Sequence, residues 1–197
     1  MLYLYLTIGY LIGCLQTSYI IGKLKGKIDI RDYGSGNAGT TNMIRVMGPK
    51  YGAITFVGDV VKMILAVNLV AYFFDHSITA LFVTGLGVIV GHDWPVFLKF
   101  RGGKGIASLV GFLLAYNEKV ALLIILIMIA TIVMTRFISL ASIFASLLFP
   151  LAVFLKGEPS DVVSISILIM IINIYKHRGN IVRLINGNER RIGEKNE

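Results

Sequence analysis

Seven apolar runs set the terms for any fold this chain can adopt: residues 1–22, 51–74, 78–98, 105–117, 119–135, 138–155 and 162–175. A helix needs roughly 20 apolar residues to cross a hydrocarbon core of about 30 Å, and only helices or closed barrels satisfy their backbone polar groups there. A soluble core built from 197 residues cannot hide so many runs, and a hydrophobic content of 56% against 15% charged residues agrees. The expectation is therefore an all-α polytopic membrane protein with about seven transmembrane helices, forming a single integral membrane domain over 1–197. No internal repeat is visible. The first 22 residues carry no Lys or Arg and no small-residue cleavage pattern, so they read as a retained helix rather than a signal peptide.

The net charge of +8 has to be located before it is interpreted. With the N-terminus outside and seven crossings, Lys23, Lys25, Lys27, Arg31, Arg45, Lys50, Lys99, Arg101, Lys104, Arg136, Lys176, Arg178, Arg183, Arg190, Arg191 and Lys195 all fall inside. Only Lys119 and Lys156 fall outside, and Lys62 lies within a helix. Basic loops stay in the cytoplasm, so the charge reports topology with a cytoplasmic C-terminus, and nucleic acid is not expected as a partner. The run at 105–117 is the difficulty, since 13 residues at about 1.5 Å each fall short of the core. One long helix over 105–135 is the rival. It would turn the basic tail outward, whereas Asn117, Glu118 and Lys119 make a plausible tight external turn, so two crossings are favoured.

Three polar constellations interrupt the apolar pattern. The first is Gly34-Ser35-Gly36-Asn37-Ala38-Gly39-Thr40-Thr41-Asn42, with Arg45 soon after. Its glycines permit positive φ and could turn successive N–H groups toward an anion, with hydroxyl and amide side chains beside them; an ordinary Gly/Asn-rich turn is the alternative. It lacks the Gly-Lys-Ser/Thr ending of a nucleotide-binding loop, which disfavours ATP or GTP. The second runs from Gly91-His92 through Pro95 to Gly102-Gly103-Lys104-Gly105, where flexible backbone, a helix N-terminus and an ammonium converge. Lys99 and Arg101 read there as interfacial anchors, and Trp94 and Phe97 as an aromatic belt. The third is His177-Arg178-Gly179-Asn180-Ile181-Val182-Arg183-Leu184; if 176–185 continues helically, His177 and Asn180 share a face.

Other polar groups are less specific. Asp59 and Lys62, three apart in an apolar run, suit either a neutralising pair or a proton relay of a transporter. Ser139 and Ser142 could donate to substrate oxygens or merely pack. Cys14, the single cysteine, excludes an internal disulfide and reads as a packed side chain. His76 sits in a short external turn. The scattered carboxylates form no metal motif.

Taken together and in this order over nearly the whole chain, the three constellations resemble the bacterial membrane glycerol-3-phosphate acyltransferase family that uses acyl phosphate as donor. One departure occurs at Gly13-Cys14-Leu15-Gln16, where that family commonly has Gly-Ser and a nearby Pro, which puts the local geometry of the first helix in question. The resemblance implies seven helices in the bacterial cytoplasmic membrane, an active site at the cytoplasmic face, and no cofactor. It implies acyl transfer from acyl phosphate to the sn-1 hydroxyl of glycerol 3-phosphate, giving lysophosphatidic acid and phosphate. By motif matching, Ser35, Gly36, Asn37, Gly39, Thr41 and Asn42, with Gly34, would hold the acyl-phosphate headgroup. Arg45 and Lys104, with Gly102 and Gly103, would face substrate phosphates, and Ser142, His177 and Asn180 would complete the glycerol 3-phosphate site. Membrane lipids are the remaining expected partner. A proton-coupled phosphate-ester transporter, or a lipid-binding structural protein, is the competing class.

Overall fold

The computed structural model describes residues 1–194, so Lys195 lies outside the described residues. Every regular element among them is helical: α1 Leu2–Gly13, α2 Thr17–Ile21, α3 Thr40–Met47, α4 Pro49–Phe73, α5 Ile78–Asp93, α6 Ile106–Tyr116, α7 Glu118–Thr135, α8 Ile138–Leu155, α9 Ser160–Lys176 and α10 Arg178–Ile185, with short π and 3-10 turns between. Five helical stretches are long and apolar enough to cross a membrane: Leu2–Gly26, Pro49–Phe73, Ile78–Leu98, Glu118–Thr135 and Ile138–Leu155. The pair α9 and α10, bent by 58°, is a sixth if counted as one span. The seventh run yields only α6, whose 11 residues rise about 16 Å. Five or six is thus the number carried by length and composition. The single long helix over 105–135 does not occur: α6 ends at Tyr116 and α7 restarts at Glu118, with the Asn117 side chain accepting from the Val120 N–H at 3.0 Å as its cap.

The chain divides into two compact units, Met1–Tyr116 and Asn117–Glu197. In the first, α1 lies along α5 with backbones in close approach. Gly9 and Gly13 of α1 meet Thr84 and Val88, and Gly87 and Gly91 of α5 meet Leu6 and Tyr10, so a Cβ at any of the four would run into opposing backbone. Two small-xxx-small faces therefore interlock, the device that lets helices associate where lipid supplies no hydrophobic drive. Phe82 and Phe112 pack edge-to-face with centroids 4.9 Å apart between α5 and α6. A small core of Ile30, Ala38 and Met43 anchors the first polar loop.

Residues 13–16, where the chain departs from the family pattern, interrupt the first helix. The first span is broken there, with Gln16 extended (φ −95°, ψ 97°) and the chain restarting at Thr17. The carbonyls of Gly13 and Leu15 lose their helical partners and accept instead from the Lys62 ammonium, at 3.2 and 2.8 Å.

In the second unit, α7, α8 and α9 pack around Ala121, Ile124, Ala141, Ala145, Phe149, Val153, Val162 and Ile169. Leu122, Leu123, Val133 and Met134 of α7 stay exposed, as side chains facing lipid would. The tail folds back on this unit, with the Ile192 N–H donating to the Arg136 carbonyl at 2.8 Å and Arg136 Nη2 to the Ile192 carbonyl at 2.8 Å.

Candidate functional site

The first polar loop is held by its own amide. Asn42 is buried, its Nδ2 donating to the carbonyls of Ile30 (2.9 Å) and Tyr33 (3.0 Å), while Oδ1 accepts from the Ser35 N–H at 2.7 Å. Gly34 and Gly36 take positive φ (62° and 72°), which lets the chain turn around this side chain. The structure changes the expected origin of the anion donors. The N–H groups of Ser35, Gly36, Ala38 and Gly39 are bonded inward, to Asn42 Oδ1 and to the carbonyls of Tyr33, Gly102 and Asn37. The donors not bonded within the loop are thus the first N–H groups of α3, which starts at Thr40 with no side-chain cap, with the hydroxyls of Ser35 and Thr41 beside them, whereas the Asn37 amide donates to the Ser35 carbonyl (3.2 Å) and hydroxyl (3.3 Å). The Thr40 hydroxyl is buried without a hydrogen-bond partner among the described residues. Arg45 lies in the last turn of α3, half-buried. Asn42 itself serves the loop, and sequence alone could not separate that role from ligand binding.

The Gly-Gly-Lys-Gly segment is seated on His92. The Gly103 N–H donates to the His92 carbonyl at 3.0 Å, and the Ala38 N–H donates to the Gly102 carbonyl at 3.4 Å, so the two glycine loops meet within the first unit. A side chain on Gly102 would strike the His92 carbonyl, and one on Gly103 the His92 imidazole and the Ala38 carbonyl. Both glycines are therefore positions of close approach. Gly105 has φ 71° and opens α6, with Lys104 half-buried just before it.

Below this loop, the structure gives the Asp59–Lys62 pair more members than the spacing suggested. Lys62 Nζ lies 2.9 Å from Asp59 Oδ1, 2.8 Å from His92 Nδ1, and on the carbonyls that end α1. An ammonium has only donors, so His92 Nδ1 accepts and the ring proton sits on Nε2. Thr17 Oγ1 donates to Asp59 Oδ1 at 3.2 Å, and Gln16 Nε2 donates to the His92 carbonyl at 2.8 Å. With Asp59 buried and paired to Lys62, the cluster is a brace for the broken helix and the loop above it; an open relay would need an accessible carboxylate. A second brace joins the loops nearer solvent. Arg31 pairs bidentately with Asp29 (2.9 and 2.7 Å) and donates through Nη1 to the Leu98 carbonyl at 2.7 Å. The guanidinium beside it holds the Asp29 carboxyl at about 2, well below the usual range.

In the second unit, the helix does not run straight on over 176–185: α9 and α10 are bent by 58° at His177, whose own φ and ψ are −93° and 4°. His177 is buried, and its Nδ1 lies 2.8 Å from the Asn173 carbonyl. A carbonyl can only accept, so Nδ1 carries the proton and Nε2 the lone pair in the neutral ring. Asn180 Nδ2 donates to Glu189 Oε1 at 2.7 Å, and Arg183 Nε donates to Glu189 Oε2 at 2.7 Å. Burial alone would raise the Glu189 carboxyl, but the hydrogen bonds from Asn180 and Arg183 outweigh it and hold the group below its usual value. Glu189, twelve residues beyond His177 and past a turn at Gly187 (φ 70°), had no signal in sequence spacing that tied it to Asn180. Ser142 is buried on α8 and donates to the Ile138 carbonyl at 2.9 Å.

A family model described as "Glycerol-3-phosphate acyltransferase" matches residues 3–187. Glycerol-3-phosphate acyltransferase of Thermoanaerobacter pseudethanolicus is 43% identical over 96% of this chain and 95% of its own, and that of Aquifex aeolicus is 40% identical over 92% and 94%. The fold is similar to the crystal structure of PlsY (YgiH), an integral membrane glycerol 3-phosphate acyltransferase, in its glycerol 3-phosphate form, with a TM-score of 0.90 and 38% identity over 98% of this chain and 96% of that one. The lysophosphatidic acid form gives a TM-score of 0.88 over 98% and 95%.

Proposed function

Since the chain belongs to the glycerol-3-phosphate acyltransferase family, we propose that it acylates glycerol 3-phosphate, taking the acyl group from acyl phosphate and placing it on the sn-1 hydroxyl. The observation that supports the donor assignment is the Ala38–Gly102 backbone hydrogen bond, which brings the first glycine loop beside the segment that carries Lys104. The acyl phosphate headgroup binds there, through Ser35, Asn37, Thr41 and the first turn of α3, with Gly34, Gly36 and Gly39 shaping the loop and Asn42 holding it. Gly102 and Gly103 keep Lys104 in place, and Arg45 and Lys104 carry the charge. Ser142, His177 and Asn180 bind glycerol 3-phosphate. The chain acts as one acyltransferase domain in the bacterial cytoplasmic membrane, with seven crossings, an external N-terminus and the reaction at the cytoplasmic face.

The step balances simply. The acceptor hydroxyl oxygen attacks the acyl carbonyl carbon, the carbon–oxygen bond to phosphate breaks, and inorganic phosphate leaves with the electron pair. An acyl phosphate is already activated, so orientation and charge stabilisation supply the rate and no protein nucleophile is required. The hydroxyl proton passes to His177 Nε2 or to an oxygen of the departing phosphate. The Nδ1–H bond to Asn173 supports the first route, because it leaves Nε2 as the basic nitrogen. His177→Gln retaining substantial turnover would remove that route.

The deciding assay offers glycerol 3-phosphate with acyl phosphate, acyl coenzyme A or acyl carrier protein, each separately, to purified protein in detergent, with mass-spectrometric detection. Lysophosphatidic acid from acyl phosphate alone, falling about 100-fold or more in Lys104→Ala, is the expected result. Product from one of the other donors would overturn the donor assignment. No product from any donor would overturn acyl transfer and favour a proton-coupled phosphate-ester transporter, checked by counterflow in vesicles.

A further inference from the structure

One turn before His177, α9 carries a side chain that the proposed chemistry does not use. Asn173 lies on the buried face that runs through Val162, Ser166 and Ile169 and on to His177 beyond the helix end. Its backbone carbonyl is occupied, accepting both the His177 N–H (3.0 Å) and His177 Nδ1–H (2.8 Å). The side-chain amide is not: the residue is 0% exposed, and neither Nδ2 nor Oδ1 has a hydrogen-bond partner among the described residues. A buried amide without partners is costly, and leucine or isoleucine, which fill much of the rest of α9, would remove the cost. Asn173 thus forgoes stability in the unliganded protein, which is the pattern of a group kept for a ligand.

The chemistry of the amide narrows what that ligand is. Phosphate oxygens would use only its donors, and a cation only its carbonyl, whereas a hydroxyl uses both, donating to Oδ1 and accepting from Nδ2. Side chains four residues apart stack on one helical face, so Asn173 and His177 can reach adjacent hydroxyls of one small molecule. Resting on the function proposed above, the acceptor has two hydroxyls, one that is acylated and one that is kept. We propose that Asn173 binds the hydroxyl of glycerol 3-phosphate that is not acylated and so determines which hydroxyl meets the donor. His177 receives or guides the reacting hydroxyl, and Asn173 grips its neighbour. Asn173 is a specificity-determining residue, and its loss acts on acceptor choice rather than on the chemical step.

The test compares two acceptors, glycerol 3-phosphate and 3-hydroxypropyl phosphate, which lacks the middle hydroxyl, with acyl phosphate as donor for wild type and Asn173→Leu. Wild type should prefer glycerol 3-phosphate by at least tenfold in kcat/KM, since a site built to bond a hydroxyl rejects an analogue without it. Asn173→Leu should bring the two acceptors to within about twofold, chiefly through a higher KM for glycerol 3-phosphate and with the rate on the deoxy analogue nearly unchanged. Thermal unfolding supplies the second readout. The unliganded variant should melt no lower than wild type, while the rise in Tm on adding glycerol 3-phosphate shrinks. A variant that keeps the wild-type preference overturns the inference and leaves Asn173 to packing or a trapped water. A lower Tm of the unliganded variant also overturns it, because the amide would then be bonded within the fold. Wild type that fails to acylate glycerol 3-phosphate at all sinks the function and this inference together, whereas the other two outcomes sink this inference alone.

Discussion

Asp29 and Arg31 sit only two residues apart, yet their pair ties the first polar loop to the second through the Leu98 carbonyl. Because the folded carboxyl titrates at about 2 and an unfolded aspartate near 4, the pair contributes stability above pH 4 that is lost as the pH falls through about 2. With solvent screening allowed for, Asp29→Asn should cost about 1 kcal/mol at neutral pH, and the gap from wild type should close at the acid end of a pH series of thermal melts. The deeper cluster behaves differently. Lys62→Met leaves the Asp59 carboxylate buried without its ammonium and two carbonyls without a donor, which should cost about 3 kcal/mol or more. The double variant with Asp59→Asn should lose less than the sum of the two singles in a mutant cycle of melting or denaturant titrations. The i,i+3 spacing of these two residues made their pairing readable. That Lys62 would also seal a broken helix and touch His92 was not readable, because those partners lie about 50 and 30 positions away and are joined only by packing.

Among the helices, the contact of α1 with α5 is the most exacting. Gly9 and Gly13 oppose Gly87 and Gly91 with backbone atoms where side chains would stand. Gly91→Ala would press its methyl into the Tyr10 carbonyl, so it should destabilise by about 1–3 kcal/mol, measurable as a lower Tm in detergent. The bend at His177 is the second feature of this kind. There α9 ends with the His177 N–H on the Asn173 and Ile174 carbonyls, and α10 restarts at Arg178 at 58° to it. The N–H groups of the first polar loop teach the same point: its glycines were readable as a turn, but the inward direction of four N–H bonds came from Asn42, Tyr33, Asn37 and Gly102.

For the molecule as a whole, the open quantity is the number of crossings, and α6 decides it. Single cysteines in a Cys14→Ser background, labelled from either side of intact cells, separate the cases. With seven crossings and an external N-terminus, His76→Cys, Asn117→Cys and Gly157→Cys should react from outside and Lys50→Cys, Phe100→Cys and Gly187→Cys only from inside. If α6 fails to cross, Asn117→Cys and Gly157→Cys become internal and Gly187→Cys external. The basic bias and the turn at Asn117 favour the first pattern, and the break between α6 and α7 is already present in the structure.

The all-helical class, the apolar spans, the basic loops and the three polar constellations follow from residue types and their local spacing, because hydrophobic length, charge bias and glycine-rich turns act over a few residues to a few tens of residues. Family membership was readable for the same reason, since the motifs are contiguous. The broken first span, the Asp59–Lys62–His92 brace, the seating of Gly102 and Gly103 on His92, and the Asn180–Glu189–Arg183 bridge depend on side chains meeting across long sequence separations. Which partners a buried polar atom finds, and whether Asn173 finds any, is set by packing alone, because hydrogen bonds form only over distances that the chain order does not encode.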